Sequence, residues 1–379
     1  MLPPPPPPYP ADAVALSLTM MYPPPSPLPF KMLLCSCGNR SHVYNYEAAG
    51  AAAVMGVQWH TVANQADGSL CLQAVADAIR PDDIHYAPTT MVTVENTHNM
   101  CGGTVIGVEY MEALGSLCRQ HALPLHVDGA RIFNAATALG TPVRELVAAA
   151  DSVSVCLSKN LGCPAGSVLV GDTSFIARAR RLRKLLGGGM RQSGVLAAAG
   201  LVALQQNVTR LDVDHINARQ LAAGLGRLPG IECEVPETNI VLIRSQVGPN
   251  GQRVGPHLDA LMDAMKARGV RLGYGYDSSV IRAVTHLGIT CEDIATVVAR
   301  FRDVLPSLLP PPAALGPALD AAGCEHDVVL CLGLQKQRRQ EKERTKDASG
   351  CFVLLVKITF KTGAKTAVLP VIPLCPPHY

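Results

Sequence analysis

Aromatic residues are scarce in this chain: Phe, Tyr and Trp together make up 4% of 379 residues, and there is a single Trp. A core of the size this length allows must then be built from Ala, Val and Leu, in keeping with an apolar content of 48%. No sign of charge is in excess. The formal net charge is +3, which removes any charge-based argument for nucleic acid or a charged membrane surface as a partner. No apolar run is long enough to span a bilayer, and the short Ala-rich stretch from Val195 to Leu204 reads instead as a buried helix. A basic leader is also missing, since no arginine precedes Arg40, so a secretory signal is not expected and a mitochondrial presequence has little support. The thirteen cysteines are scattered. Cys35-Ser36-Cys37 lacks zinc-ligand spacing and has no second pair to match it. An odd cysteine total without a secretion signal implies reduced thiols. Together these absences predict a cytoplasmic protein, with the mitochondrion left open.

What is present divides the chain into four parts. Residues 1–40 are rich in proline, with Pro3 to Pro8 as an unbroken tract, and are expected to favour polyproline II and to lack order. The tract itself could serve as a ligand for a proline-binding module. Residues 41–205 alternate strand-like runs with helical patterns, such as Leu70 to Ile79 and Tyr110 to His121, and predict an α/β domain with a mostly parallel sheet. A long helix is expected from about Gly194 to Leu225, broken near Asn207 to Val213. Residues 206–305 then read as a smaller α+β domain, with strands around Pro236 and over Val280 to Val284, and helices over Leu258 to Arg268 and Cys291 to Val304. Beyond Leu305, prolines, a charged stretch from Lys336 to Asp347 and an apolar segment from Cys351 to Phe360 predict low order over 306–379.

Chemistry enters with Asp128 and Lys159, because each stands where an apolar strand runs out. Leu-Pro-Leu-His-Val (123–127) leads into Asp128, Ser-Val-Ser-Val-Cys-Leu-Ser (152–158) leads into Lys159, and residues 141–150 between them read as a helix. A strand–helix–strand unit of this length makes neighbouring parallel strands. Ligands of open parallel sheets bind beyond the carboxyl ends of the strands, so the acid and the amine face one crevice. Pyridoxal 5'-phosphate chemistry needs this pairing: the lysine forms a Schiff base with the cofactor aldehyde, and the carboxylate holds the pyridine nitrogen protonated so that the ring draws electrons. The same pair read alone is equally what a plain strand-end ion pair would look like.

The surrounding words decide between these readings. His-Val-Asp-Gly-Ala-Arg-Ile-Phe-Asn (126–134), Ser-Val-Ser-Val-Cys-Leu-Ser-Lys-Asn-Leu-Gly-Cys-Pro-Ala-Gly-Ser (152–167) and Gly-Gly-Gly-Met-Arg-Gln-Ser-Gly (187–194) resemble threonine aldolases in order and spacing, as do Val-Glu-Asn-Thr-His-Asn (94–99) and Ile-Arg-Ala-Val-Thr-His-Leu (281–287). The resemblance runs from about Ser41 to Leu305. It implies a fold-type I pyridoxal phosphate lyase that cleaves L-threonine or L-allo-threonine to glycine and acetaldehyde, acting on a small β-hydroxy-α-amino acid as a homo-oligomer, either dimer or tetramer.

The same resemblance implies roles for five further residues. His42 would stack on the cofactor ring and His85 would sit near the substrate side chain, either being the catalytic base. Arg131 and Arg282 would hold the substrate carboxylate, for which a planar guanidinium offers paired donors. Arg191 would reach the cofactor phosphate of a neighbouring subunit. The resemblance also implies an Arg-Ser-Asp-Thr stretch and a Gly-Thr turn upstream, the turn opening a helix beneath the phosphate. The forty-one residues before His42 contain neither. That difference keeps two alternatives in view, an impaired homologue with weak cofactor binding and an interaction protein using its polyproline tract.

Overall fold

The computed structural model describes residues 33–310, apart from 82, 276 and 277. The expectations for the Pro3 to Pro8 tract and for residues 311–379 lie outside the described residues.

Two sheets organise the described residues. The larger has six strands in the order β2-β1-β3-β4-β5-β6, formed by β1 (Leu33–Gly38), β2 (Val57–Val62), β3 (Thr89–Glu95), β4 (Leu125–Asp128), β5 (Ser152–Cys156) and β6 (Ser167–Gly171). The first five are mutually parallel and β6 runs antiparallel to β5. The fold class is as expected. Every residue of the central strand β3 is buried, as the strand's position between two helical layers requires.

One expectation is corrected here. Residues 33–38, assigned from composition to a disordered segment, form a strand that pairs with β2 on one side and β3 on the other. The reason is local: Leu-Leu-Cys-Ser-Cys-Gly holds no proline, so every backbone donor is available to the ladder, and Cys35 and Cys37 are fully buried in it.

Short helices connect these strands. They are α1 (His42–Asn45), α2 (Gly50–Met55), α3 (Leu72–Ala78), α4 (Val108–Gln120), α5 (Ile132–Leu139) and α6 (Val143–Leu146). α4 buries Met111, Leu114 and Cys118 along one face, the spacing expected of a helix laid on a sheet. Between β4 and β5 the crossover is carried mainly by α5, and the helix expected over 141–150 contracts to the single turn of α6. After β6 come α7 (Thr173–Leu185) and α8 (Gly194–Val202), then a wide turn over Ala203–Asn207, a tight one over Val208–Arg210, and α9 (Leu211–Leu225). The expected break in this long helical run therefore falls slightly earlier than its composition suggests.

The reading of Val195 to Leu204 as buried is also corrected. Only Gly200 of α8 is buried, and Val195 is 78% exposed. Apolar composition specifies a face that seeks cover, but not which element supplies it.

The smaller sheet is antiparallel, in the order β7-β8-β10-β9, from β7 (Ile231–Cys233), β8 (Ile240–Ser245), β9 (Gly273–Tyr274) and β10 (Val280–Val284). It packs with α9, α10 (Leu258–Ala267) and α11 (Cys291–Val304) around Leu221, Ile243, Leu261, Ile281 and Phe301. A capping box between Thr290 and Asp293 opens α11, satisfying two of the donors a helix start leaves bare.

Candidate active site

Strand order reverses at β1, whose chain successor β2 lies to one side while β3, β4 and β5 follow on the other. Such a switch point opens a crevice at the carboxyl ends of the strands. Four polar residues stand there: His42 just after β1, Glu95 at the end of β3, Asp128 at the end of β4 and Lys159 just after β5. Glu95 and Asp128 are register partners on adjacent strands.

Asp128 is held by local donors. Its Oδ1 accepts from the backbone N–H of Ala130 at 3.1 Å and from the Ser154 hydroxyl at 3.5 Å. Among the described residues its Oδ2 accepts no hydrogen bond. His42 opens α1, and its Nδ1 lies 3.1 Å from Glu47 Oε1. That hydrogen bond raises the His42 pKa above its usual range, opposed by partial burial and aided by the charges of Asp128, Glu47 and Glu95. Tyr46 stacks obliquely against the imidazole, with ring centroids 5.5 Å apart.

Lys159 follows β5 in a loop closed by the Gly162 N–H donating to its carbonyl at 2.9 Å. The next residue, Asn160, is buried, and its amide donates to Asp214 Oδ2 at 2.8 Å and to the Thr285 carbonyl at 3.1 Å. These bonds tie the lysine loop to α9 and to the end of β10. A cavity of about 430 Å³ opens beside it, lined by Arg131, Lys159, Val284 and His286 among others.

The two arginines meet. Arg282 Nη2 donates to Asn99 Oδ1 at 2.9 Å, and Arg131 Nη1 approaches the same oxygen at 3.5 Å. One neutral amide oxygen thus gathers two cations, one from the start of α5 and one from β10.

Two expected site residues are not brought into this cluster within one chain. His85 lies in the turn before β3, at the amino end of a strand whose carboxyl end faces the crevice. Its side chain is 76% exposed and pairs with Asp83 at 2.6 Å. Arg191 is exposed in the turn between α7 and α8 and does not line the cavity. Conversely, Glu95, Asn99, Asn160 and His286 carry no role in the sequence reading. All four lie inside the motif segments, and Glu95 ends an apolar strand just as Asp128 does.

The donor set fits the reactive end and ring of pyridoxal phosphate, while the Gly-Thr turn expected beneath its phosphate has no counterpart among the described residues before His42. The set offers an amine on the cavity wall, an open carboxylate oxygen for a protonated ring nitrogen, an imidazole beside it and paired guanidiniums for a carboxylate. The fold and this crevice are those of fold type I, a class that works with pyridoxal phosphate.

Comparison with known proteins agrees. Residues 30–247 match the beta-eliminating lyase family. The chain is 43% identical to low-specificity L-threonine aldolase 1 of Arabidopsis thaliana over 278 residues, covering 72% of this chain and 76% of that protein. It is 45% identical to the low specificity L-threonine aldolase of Escherichia coli strain K12 over 268 residues, 71% and 76% of the two chains. The fold resembles the crystal structure of a putative L-allo-threonine aldolase from Listeria monocytogenes, with TM-score 0.63 at 18% identity, covering 79% of this chain and 81% of that one. The chain belongs to the beta-eliminating lyase family and, within it, to the threonine aldolases.

Proposed function

We propose that this chain cleaves L-threonine or L-allo-threonine to glycine and acetaldehyde with pyridoxal phosphate. The observation that carries the reading is the meeting of Arg131 and Arg282 at Asn99, since Arg131 also lines the cavity that holds Lys159. An amino acid whose carboxylate docks on the two guanidiniums presents its amine and α-carbon toward that lysine. The names of the relatives support the same reaction.

When bound, pyridoxal phosphate supplies an electron-withdrawing ring that accepts the electrons of a broken Cα–Cβ bond. Each residue then has a task. Lys159 would hold the cofactor through its amine, and Asp128 would hold the ring nitrogen in its protonated form. Arg131 and Arg282 fix the carboxylate, and with it the orientation of the bond to be broken, an ordering that contributes several kcal/mol. His42, when neutral, accepts the proton of the substrate hydroxyl as the bond breaks. The Glu47 contact favours the charged imidazole, so His42 becomes competent only as pH rises through its raised pKa.

The acting species is a homo-oligomer, dimer or tetramer. The uncovered apolar face of α8 supports this, and a second copy is the route by which Arg191 would reach a cofactor phosphate and His85 a substrate side chain. The compartment in this reading is the cytoplasm, with the mitochondrion left open. Among the described residues no helix is long and apolar enough to cross a membrane.

Titration of the purified protein with pyridoxal phosphate tests the reading. A saturable visible band that disappears in Lys159→Ala is expected, and the absence of any band in the unaltered protein would overturn the cofactor assignment.

A further inference from the structure

Glu95 is only 4% exposed, yet among the described residues no Lys or Arg side chain pairs with it. What it holds instead is backbone. Its Oε2 accepts the N–H of His42 at 2.7 Å and its Oε1 accepts the N–H of Asn99 at 2.9 Å. His42 and Asn99 lie 53 residues from and 4 residues after Glu95, in loops that leave different strands. One carries the imidazole and the other carries the amide on which both arginines converge.

We propose that Glu95 is a positioning residue, a single carboxylate that sets the His42 turn and the Asn99 turn in register with each other. This deepens the proposed function, because the two turns it joins are the ones assigned there to the proton acceptor and to the carboxylate anchor.

The chemistry of the carboxylate suits the task. Both donors are backbone amides, so both carboxyl oxygens must be acceptors at once, a condition that an ionised carboxylate meets and a glutamine does not. Charge-assisted bonds of this kind are roughly twice as strong as neutral ones. Burial, followed by the neighbouring charge of Asp128, pushes the Glu95 pKa up to about 7, while the two amide bonds and His42 pull it down. The titratable groups facing it are Asp128 from β4, His42 from α1 and Cys101 from the loop after β3. A carboxyl kept in so unfavourable a place, with both oxygens on site loops, is explained by what it positions.

Glu95→Gln preserves size but can accept at only one end, so one amide must face an NH2 group. Hydrogen exchange on the cofactor-free protein reads this directly. We expect the N–H of His42, of Asn99, or of both to lose about tenfold or more in protection, while Gly129, whose N–H bonds across β4 and β5 to Ser154, keeps its own. Unchanged protection at both amides, or an equal loss at Gly129, would overturn the proposal. If the variant does not fold, the unaltered protein still decides the matter: one clamp requires the His42 and Asn99 amides to open together, and protection factors differing by about a hundredfold would refute it.

A kinetic readout separates positioning from plain structural support. In the loaded enzyme, Glu95→Gln should raise KM for L-threonine by about tenfold through the Asn99 turn and also lower kcat through the His42 turn, and a variant with both constants unaltered would overturn the proposal. An unaltered protein that binds no pyridoxal phosphate would defeat the proposed function but leave the exchange result standing, so the two failures are distinguishable.

Discussion

Replacing Asn99 by Asp is the sharpest perturbation of the proposed carboxylate anchor, because it changes one neutral oxygen into a charge without changing shape. Asn99 Oδ1 sits 2.9 Å from Arg282 Nη2 and 3.5 Å from Arg131 Nη1. A carboxylate about 3 Å from a guanidinium gains about 5 kcal/mol of attraction at an effective dielectric of about 20, before either ion's hydration is subtracted. What survives that subtraction is about 1.5 to 3 kcal/mol for a charge-assisted hydrogen bond. The aspartate would spend this attraction on the arginines and occupy the place of the substrate's own carboxylate. KM for L-threonine should therefore rise about 10- to 100-fold, at about 1.4 kcal/mol per decade. Asn99→Ala removes the shared acceptor without adding a competing charge, so its KM should rise less. Steady-state kinetics on loaded enzyme, with acetaldehyde as the measured product, gives both values. An aspartate variant with unaltered KM, or one milder than the alanine variant, would refute the carboxylate role of the arginine pair.

Two further expectations follow from the geometry. Glu47→Gln removes the largest cause of the raised His42 pKa, so an acid limb of the rate profile that reports His42 should move to lower pH; a limb that stays in place would exclude His42 as the titrating group. Gly103 has φ +78°, and a Cβ there would lie 2.5 Å from Thr238 Oγ1, which itself bonds the Gly103 carbonyl at 2.6 Å. Gly103→Ala should thus destabilise the protein by about 2 kcal/mol, and an unchanged thermal midpoint would contradict the close packing of this turn.

The places of Asp128 and Lys159 were legible because each stands where an apolar strand stops. Asp128 and Lys159 declare themselves as polar residues closing β4 and β5, and the crossover between those strands fixes that they are parallel neighbours. Glu95 ends β3 in the same way, but a lone acid at a strand end gives no sign that its partners are backbone amides. Asn99 and Arg282 are 183 residues apart, and no periodicity or spacing links them. His85 was read by its motif alone. The strand it enters runs from it toward the crevice, a direction that follows only from the sheet. Composition misleads twice, over β1 beside a proline-rich stretch and over α8, whose apolar residues predict a buried helix but stand largely exposed.

The most direct test is product analysis with L-threonine as substrate for the purified protein in the presence of pyridoxal phosphate. Glycine and acetaldehyde in equal amounts, abolished by Lys159→Ala, is the predicted result. A keto acid in place of the aldehyde, or no turnover by a protein that does bind the cofactor, would contradict it.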